Sequence, residues 1–191
     1  TDISFSPDGT AYVALYEPRA IYLSRDGTST WQWLGAGMPL LTPLSILAEE
    51  GGCLWVGTVD GLWHSCHGKW RCLPNGPTGP VYDLTHERDE TILAATEAGA
   101  FLCSTTGCKR TAITTPTLTV ASAAALTCAG TAGEGIWCTN EDGTWFGHDH
   151  VQAGIVNDVV LNEKGRVYYV TGGNLYACQT VRGQCAKLDL P

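Results

Sequence analysis

Short β-prone runs of apolar residues, each broken by glycine, aspartate or proline, recur along the whole chain. Five of them share a form: Ala11-Tyr-Val-Ala-Leu15, Leu54-Trp-Val-Gly-Thr58, Ile92-Leu-Ala-Ala-Thr96, Ile136-Trp-Cys-Thr-Asn140 and Val167-Tyr-Tyr-Val-Thr171. Each begins with apolar or aromatic residues and ends in small or polar ones, as a half-buried strand does. Ten residues before the anchors Tyr12, Trp55, Leu93, Trp137 and Tyr168 stand the polar residues Asp2, Ser45, Asp83, Thr127 and Asp158. Each of these is followed by an apolar or sulfur residue, which predicts a preceding strand. Between the two strands lie turn sequences such as Ser6-Pro-Asp-Gly9, Glu49-Glu-Gly-Gly52 and Asn162-Glu-Lys-Gly165,. Eight residues after the anchor comes an aromatic, Trp63, Phe101, Trp145 or Tyr176, with Tyr22 in that role in the first copy after a two-residue insertion.

Counted from the polar residue, the copies start 43, 38, 44 and 31 residues apart. A unit of that length with three visible strands and room for a fourth predicts a β-propeller blade. The fourth strands are expected at Thr30–Leu34, Lys69–Leu73, Lys109–Ile113 and Cys185–Leu190, with a short candidate in copy four at His150–Ala153. The predicted fold is therefore all-β, a single β-propeller domain over 1–191 with repeats at about 1–43, 44–80, 81–120, 121–155 and 156–191. It is either a complete five-bladed ring or part of a larger propeller. Helix is excluded as a major element. No window sustains an i, i+3, i+4, i+7 apolar pattern, and glycine interrupts nearly all of them.

Composition narrows the partners. Charged residues make up 16% and the formal net charge is −8, so the surface repels phosphate backbones. Neither nucleic acid nor insertion into a membrane is expected. The chain opens at Thr1 with no signal peptide and no apolar run long enough to span a bilayer, which reads as a mature or excised domain,. Nine cysteines are present. Cys66–Cys72, Cys103–Cys108 and Cys178–Cys185 bracket polar turns, and Cys128–Cys138 flanks a glycine-rich one. Four hairpin disulfides are expected from this, with Cys53 unpaired, and with them an oxidising extracellular or periplasmic compartment. Zinc fits poorly, because each close pair stands in a different repeat.

The run Leu54-Trp-Val-Gly-Thr-Val-Asp-Gly-Leu-Trp63, followed by Gly68-Lys-Trp-Arg-Cys-Leu73, resembles the repeat of two-component-regulator-type propellers. The resemblance is close in the second copy and holds in outline elsewhere; it implies an extracytoplasmic sensor or scaffold. Ser24-Arg-Asp-Gly-Thr-Ser-Thr-Trp31 is similar to the Asp box of sialidase- and sortilin-like propellers, with its glycine one position early. In those families the box is a structural turn between third and fourth strands, so it implies no sialidase activity.

Candidate sites follow from the repeat. Asp2, Asp83 and Asp158, with Ser45 and Thr127, head the inner strands and could ring one mouth of the channel. Their carboxylates could hold a Ca²⁺ ion, or each could instead cap neighbouring backbone N–H groups. The turns between second and third strands carry Glu17, Asp60, Glu97, Glu141 and Asp142. These acids form a candidate ligand-binding rim, although Asp-Gly pairs also serve turn geometry. His148-Asp-His150, and His64 and His67 beside Cys66, lack a third metal ligand. Trp31, Trp33 and Trp70 suit either sugar stacking or packing between blades. No nucleophile elbow or phosphate-binding glycine loop is present, and no cofactor is expected beyond that possible Ca²⁺. The expected function is a non-catalytic binding or scaffold module with a protein or glycan partner. A carbohydrate-active enzyme with an acidic pocket, or a structural subunit of an extracellular assembly, are the alternatives.

Overall fold

The computed structural model describes residues 2–27, 29–34, 42–88, 90–123, 126–139, 142–147, 154–178 and 183–189. Among these residues, twenty strands fall into five four-stranded antiparallel sheets, each paired in sequence order. Blade one holds β1 (Asp2–Phe5), β2 (Ala11–Leu15), β3 (Ala20–Ser24) and β4 (Gln32–Trp33). Blade two holds β5 (Pro43–Ala48), β6 (Leu54–Thr58), β7 (Gly61–Cys66) and β8 (Lys69–Cys72). Blade three holds β9 (Val81–His86), β10 (Ile92–Thr96), β11 (Gly99–Ser104) and β12 (Gly107–Arg110). Blade four holds β13 (Thr117–Ala123), β14 (Leu126–Thr131), β15 (Ile136–Thr139) and β16 (Trp145–Gly147). Blade five holds β17 (Val156–Leu161), β18 (Val167–Thr171), β19 (Asn174–Cys178) and β20 (Cys185–Lys187). No helix among the described residues is long and apolar enough to cross a membrane.

Four of the blades follow the expected phase; the fourth does not. The ladder pairs Asp2 with Ala14, Ser45 with Gly57, Asp83 with Ala95 and Asp158 with Val170. In blade four the matching pair is Thr119 with Gly130, so the inner strand starts at Thr117 and Thr127 lies on the second strand. Trp137 is a third-strand residue opposite Ala129, as Trp63 is opposite Val56. The second-strand anchor of this blade is Cys128, and the outer strand is β16 rather than His150–Ala153, which lies outside the described residues. With Thr119 in place, the polar positions of blades three to five stand 36 and 39 residues apart, a far more even period.

Hydrophobic clusters sit between successive blades rather than within them. One joins Tyr12, Ala14 and Ile21 of blade one to Ile46, Leu54 and Val56 of blade two. The others join Trp55 and Leu62 to Leu84 and Phe101, Leu93 to Val120 and Ala129, and Cys128 and Cys138 to Val159 and Tyr169. Close approach of the sheets demands small residues at set places. A Cβ on Gly57 would lie 2.1 Å from Ser45 Oγ and 2.7 Å from the Val81 carbonyl oxygen of the next blade. Gly130 is confined in the same way by Thr119 and Val156.

The disulfides obey the register. Cys103 faces Cys108, Cys128 faces Cys138 and Cys178 faces Cys185 across adjacent strands, and each pair is bonded. The expected Cys66–Cys72 bridge is absent and Cys53 is not free: Cys53 bonds Cys66, and Cys72 is an exposed thiol. The two-residue turn after Thr58 sets this pairing. Thr58 faces Gly61 and Leu54 faces Ser65, so the next position outward puts Cys53 opposite Cys66. Cys72 is instead carried opposite Trp63.

Peptide mapping without reduction should join the Cys53 peptide to that of Cys66 and recover iodoacetamide on Cys72 alone; a Cys66–Cys72 crosslink would contradict the register. Gly57→Ala should destabilise the protein by about 2 kcal/mol or more in urea unfolding, since the added methyl overpacks a closed contact. Gly133→Ala, where nothing lies within 4 Å of a Cβ, should be nearly neutral.

Candidate functional site

Two sets of side chains occupy the end of the blades where inner strands begin and second strands turn into third strands. The first is the polar residue of each inner strand, and here the structure gives it a specific task. Asp2 accepts a hydrogen bond from the backbone N–H of Ile46 in the next blade at 2.8 Å. Ser45 donates its hydroxyl to the Val81 carbonyl oxygen of blade three at 3.1 Å. Asp83 accepts from the N–H of Val120 in blade four at 2.8 Å, and from the Thr119 hydroxyl at 3.1 Å. Thr119 also lies 3.3 Å from Asp158 Oδ1 of blade five. Each residue thus latches its own inner strand to the one that follows.

Asp2 and Asp83 also accept the N–H of their own following residues, Ile3 and Leu84. Every carboxylate oxygen of these two residues thus accepts a backbone N–H. No group of three or more metal-binding side chains occurs among the described residues. Burial pushes the Asp83 carboxyl up to about 6 despite three hydrogen bonds to its charged form, and the Asp2 charge adds slightly to the rise,.

The second set is the acidic rim. Glu17, Asp60 and Glu97 are exposed in the turns between second and third strands of blades one to three. Asp142 is exposed too, but it lies in the turn between β15 and β16, at the other end of the blade. Glu141 lies outside the described residues. The acid that takes the rim position in blade four is Glu134, in the turn from β14 to β15, and sequence reasoning missed it because the copy was phased one strand late. Its signal was the Gly133-Glu-Gly135 turn. The rim turns of blades two, three and four share a hydroxyl brace: Thr58, Thr96 and Thr131 donate to the carbonyl oxygens of Gly61, Gly99 and Gly135 and accept the N–H of Asp60, Ala98 and Glu134. The brace holds each loop open without using the carboxylate, so the acids stay available to solvent.

Other candidates resolve into structure. Asp26 gathers the Ser24 and Thr30 hydroxyls and the N–H groups of Ser29 and Thr30, which hold its carboxyl well below the usual range. The Asp-box-like segment is therefore a turn between β3 and β4. His64 is buried against the Trp55 ring, 4.5 Å between centroids, with Nε2 3.7 Å from Glu49. Burial opposes ionisation of Glu49, but His64 and Trp55 outweigh it and keep the carboxyl below its usual value. This cluster, with His67 and His86, stands at the blade end opposite the rim. His148 and His150 lie outside the described residues. Trp70 packs on the core between blades one and two, while Trp31 and Trp33 are exposed.

The five radially packed, four-stranded sheets make the protein a β-propeller. No protein-family model matches the sequence, and no curated protein matches it either. Among solved structures it is similar to virginiamycin B lyase from Staphylococcus aureus, with a TM-score of 0.79 at 12% identity over 100% of this chain and 69% of that one. It is similar to YCF48 from Cyanidioschyzon merolae, with a TM-score of 0.69 at 15% identity over 97% of this chain and 70% of that one; YCF48 is also known bound to D1 peptide. It is similar too to the extracellular domain of the two-component system BT4673 from B. thetaiotaomicron, with a TM-score of 0.64 at 14% identity over 78% of this chain. There the chain spans 22% of the larger protein. At these identities the likeness is one of fold.

The raised Asp83 pKa has a definite consequence for stability. The unfolded carboxyl ionises near 3.8 and the folded one near about 6, so between these values the folded state keeps a proton that the unfolded state has lost. The contribution of this group is complete below pH 3.8 and is lost as pH rises through about 6, an effect of roughly 3 kcal/mol. Asp83→Asn should flatten this fall in urea midpoints measured from pH 4 to pH 7; an unchanged slope would show that Asp83 is not its source.

Proposed function

We propose that this propeller is a non-catalytic, extracytoplasmic binding module whose acidic rim engages a basic segment of a protein partner. The observation that carries this is the placement of Glu17, Asp60, Glu97 and Glu134. Four successive blades present an exposed acid in the same turn, and none of the four has an ion-pair partner among the described residues. Repetition at one end of the fold gives a strip of negative potential, which attracts and orients cationic chains. The hydroxyl braces support the reading, because they keep the loop backbone satisfied while the carboxylates remain solvated.

A protein partner is favoured over a glycan on two grounds. A propeller of similar fold is known with a peptide bound, and Trp70, one of the three tryptophans suited to sugar stacking, is packed against the core. Four disulfides and the likeness to an extracellular domain support an extracellular or periplasmic location.

Fluorescence anisotropy with a labelled oligolysine peptide tests the reading. The oxidised protein should bind it, with affinity falling as salt rises. Replacing the four acids together (E17Q, D60N, E97Q and E134Q) should weaken binding roughly tenfold or more. Equal binding of oligolysine and oligoglutamate, or an unaffected quadruple variant, would refute the acidic rim as the binding surface.

A further inference from the structure

A closed ring of five blades has five interfaces, and the described residues form four. The inner strands run side by side in the order β1, β5, β9, β13, β17, with no comparable packing of β17 on β1. The same gap appears in the core, where each cluster joins one blade to the next and none joins blade five to blade one.

The two faces at the gap are repeat equivalents of faces buried everywhere else. In every blade, one row crosses the four strands and meets the preceding blade. It begins at Ile46, Leu84, Val120 and Val159 in blades two to five, which are 3%, 7%, 5% and 3% exposed. In blade one the row is Ile3, Val13, Tyr22 and Trp33. There Ile3 is 54% exposed, Trp33 64%, and Phe5 beside them 63%. The opposite row meets the following blade through Tyr12, Trp55, Leu93 and Cys128, all buried. Its equivalent in blade five is only partly buried at Tyr168, and Val160 is 54% exposed.

The latches stop at the same place. Asp2 and Asp83 each accept a backbone N–H from the next inner strand. Asp158 is exposed, and among the described residues the one hydrogen bond it receives is from the Thr119 hydroxyl behind it. An apolar row on one side of the gap, and a half-buried anchor and a carboxylate in the position that takes a neighbour's N–H on the other, are what further blades seated on these faces would satisfy.

We propose that two more four-stranded blades of the same repeat, carried by the same polypeptide, fill this gap and close a seven-bladed ring. Five blades cover 69% of a propeller on which the whole chain superposes with a TM-score of 0.79, and seven is the whole number of equal blades that comes nearest to that fraction. The connection rule favours one polypeptide. Every blade is entered at its inner strand from the outer strand of the blade before it, so the blade on the Val160 face follows β20 and the blade on the Ile3 face leads into β1. A second five-bladed copy would bring ten blades to a gap of two. The blade on β17 must also differ at one position. Val170 stands where Ala14, Gly57, Ala95 and Gly130 admit the next inner strand, so that blade needs a small residue where blades three and five have Val81 and Val156.

The test is intact-mass measurement and hydrogen exchange on the protein purified from its native source, with the 191-residue chain as reference. The expected mass exceeds 20.3 kDa by at least two-fifths of that value, and amides of β1 and β17 exchange at least a hundredfold more slowly than in the reference chain. Three results would overturn the proposal. One is a mass of 20.3 kDa with β1 and β17 exchanging as in the reference. Another is the same mass in a stable oligomer that Phe5→Glu and Val160→Glu dissociate, which would assign the faces to a second copy. The third is a larger mass with no added protection of β1 and β17.

Discussion

Everything in this molecule rests on one contact, the seating of each blade's inner strand against the second strand of the blade before it. A lone four-stranded sheet with two apolar faces cannot hide both from water, so no blade is a stable unit by itself. Stacking solves this only if the sheets approach closely near the axis, where radial geometry crowds them most. Hence the small residues Ala14, Gly57, Ala95 and Gly130 on the second strands, with larger rings further out where the gap widens,. The polar latch sits at the same level. A hydrogen bond from one inner strand to the next satisfies backbone groups that the twist of the sheets would otherwise leave unpaired.

Most of this was legible because the seating contact constrains sequence at fixed intervals. The anchors Tyr12, Trp55, Leu93 and Tyr168 and their polar partners could be aligned by eye, and the structure places each as expected. Blade four defeated the alignment for a physical reason. Its second-strand anchor is Cys128, bonded to Cys138, and a cystine stands there where blades one and two have the rings of Tyr12 and Trp55. With no ring at the anchor, the nearest tryptophan, Trp137, was mistaken for it, and the error carried the rim to Glu141 and Asp142 instead of Glu134. The cysteine pairing failed differently. Cys66 and Cys72 are close in sequence, but proximity does not set a bridge; ladder register does. Counting outward from the Asp60-Gly61 turn leads to Cys53, and that turn was visible in the sequence all along.

The disulfides do not simply reinforce outer edges. In blades two and four they tie second strand to third, and in blades three and five third to fourth. The bridges of blades three, four and five have sulfurs within the clusters between blades. They act there as hydrophobic filler as well as crosslinks. Blade one has no cysteine and relies on side-chain braces at Asp8 and Asp26 instead. Each carboxylate is held below its usual range by hydroxyl and backbone hydrogen bonds, and each fixes a loop that no bridge spans.

The division of labour among the acids follows from the same geometry. Carboxylates on the inner strands lie where sheets converge, so they are drawn into backbone hydrogen bonds and their protonation is tied to the integrity of the fold. Carboxylates in the turns between second and third strands lie beyond the last ladder pair, where no neighbouring strand can reach them, and in blades two to four a threonine already satisfies the backbone. Acids of the first kind answer to stability and those of the second to whatever approaches from solvent. A propeller can therefore change its rim without disturbing its latches. The fold carries little information about the partner for that reason, while the seating contacts recur at each of the four junctions between successive blades.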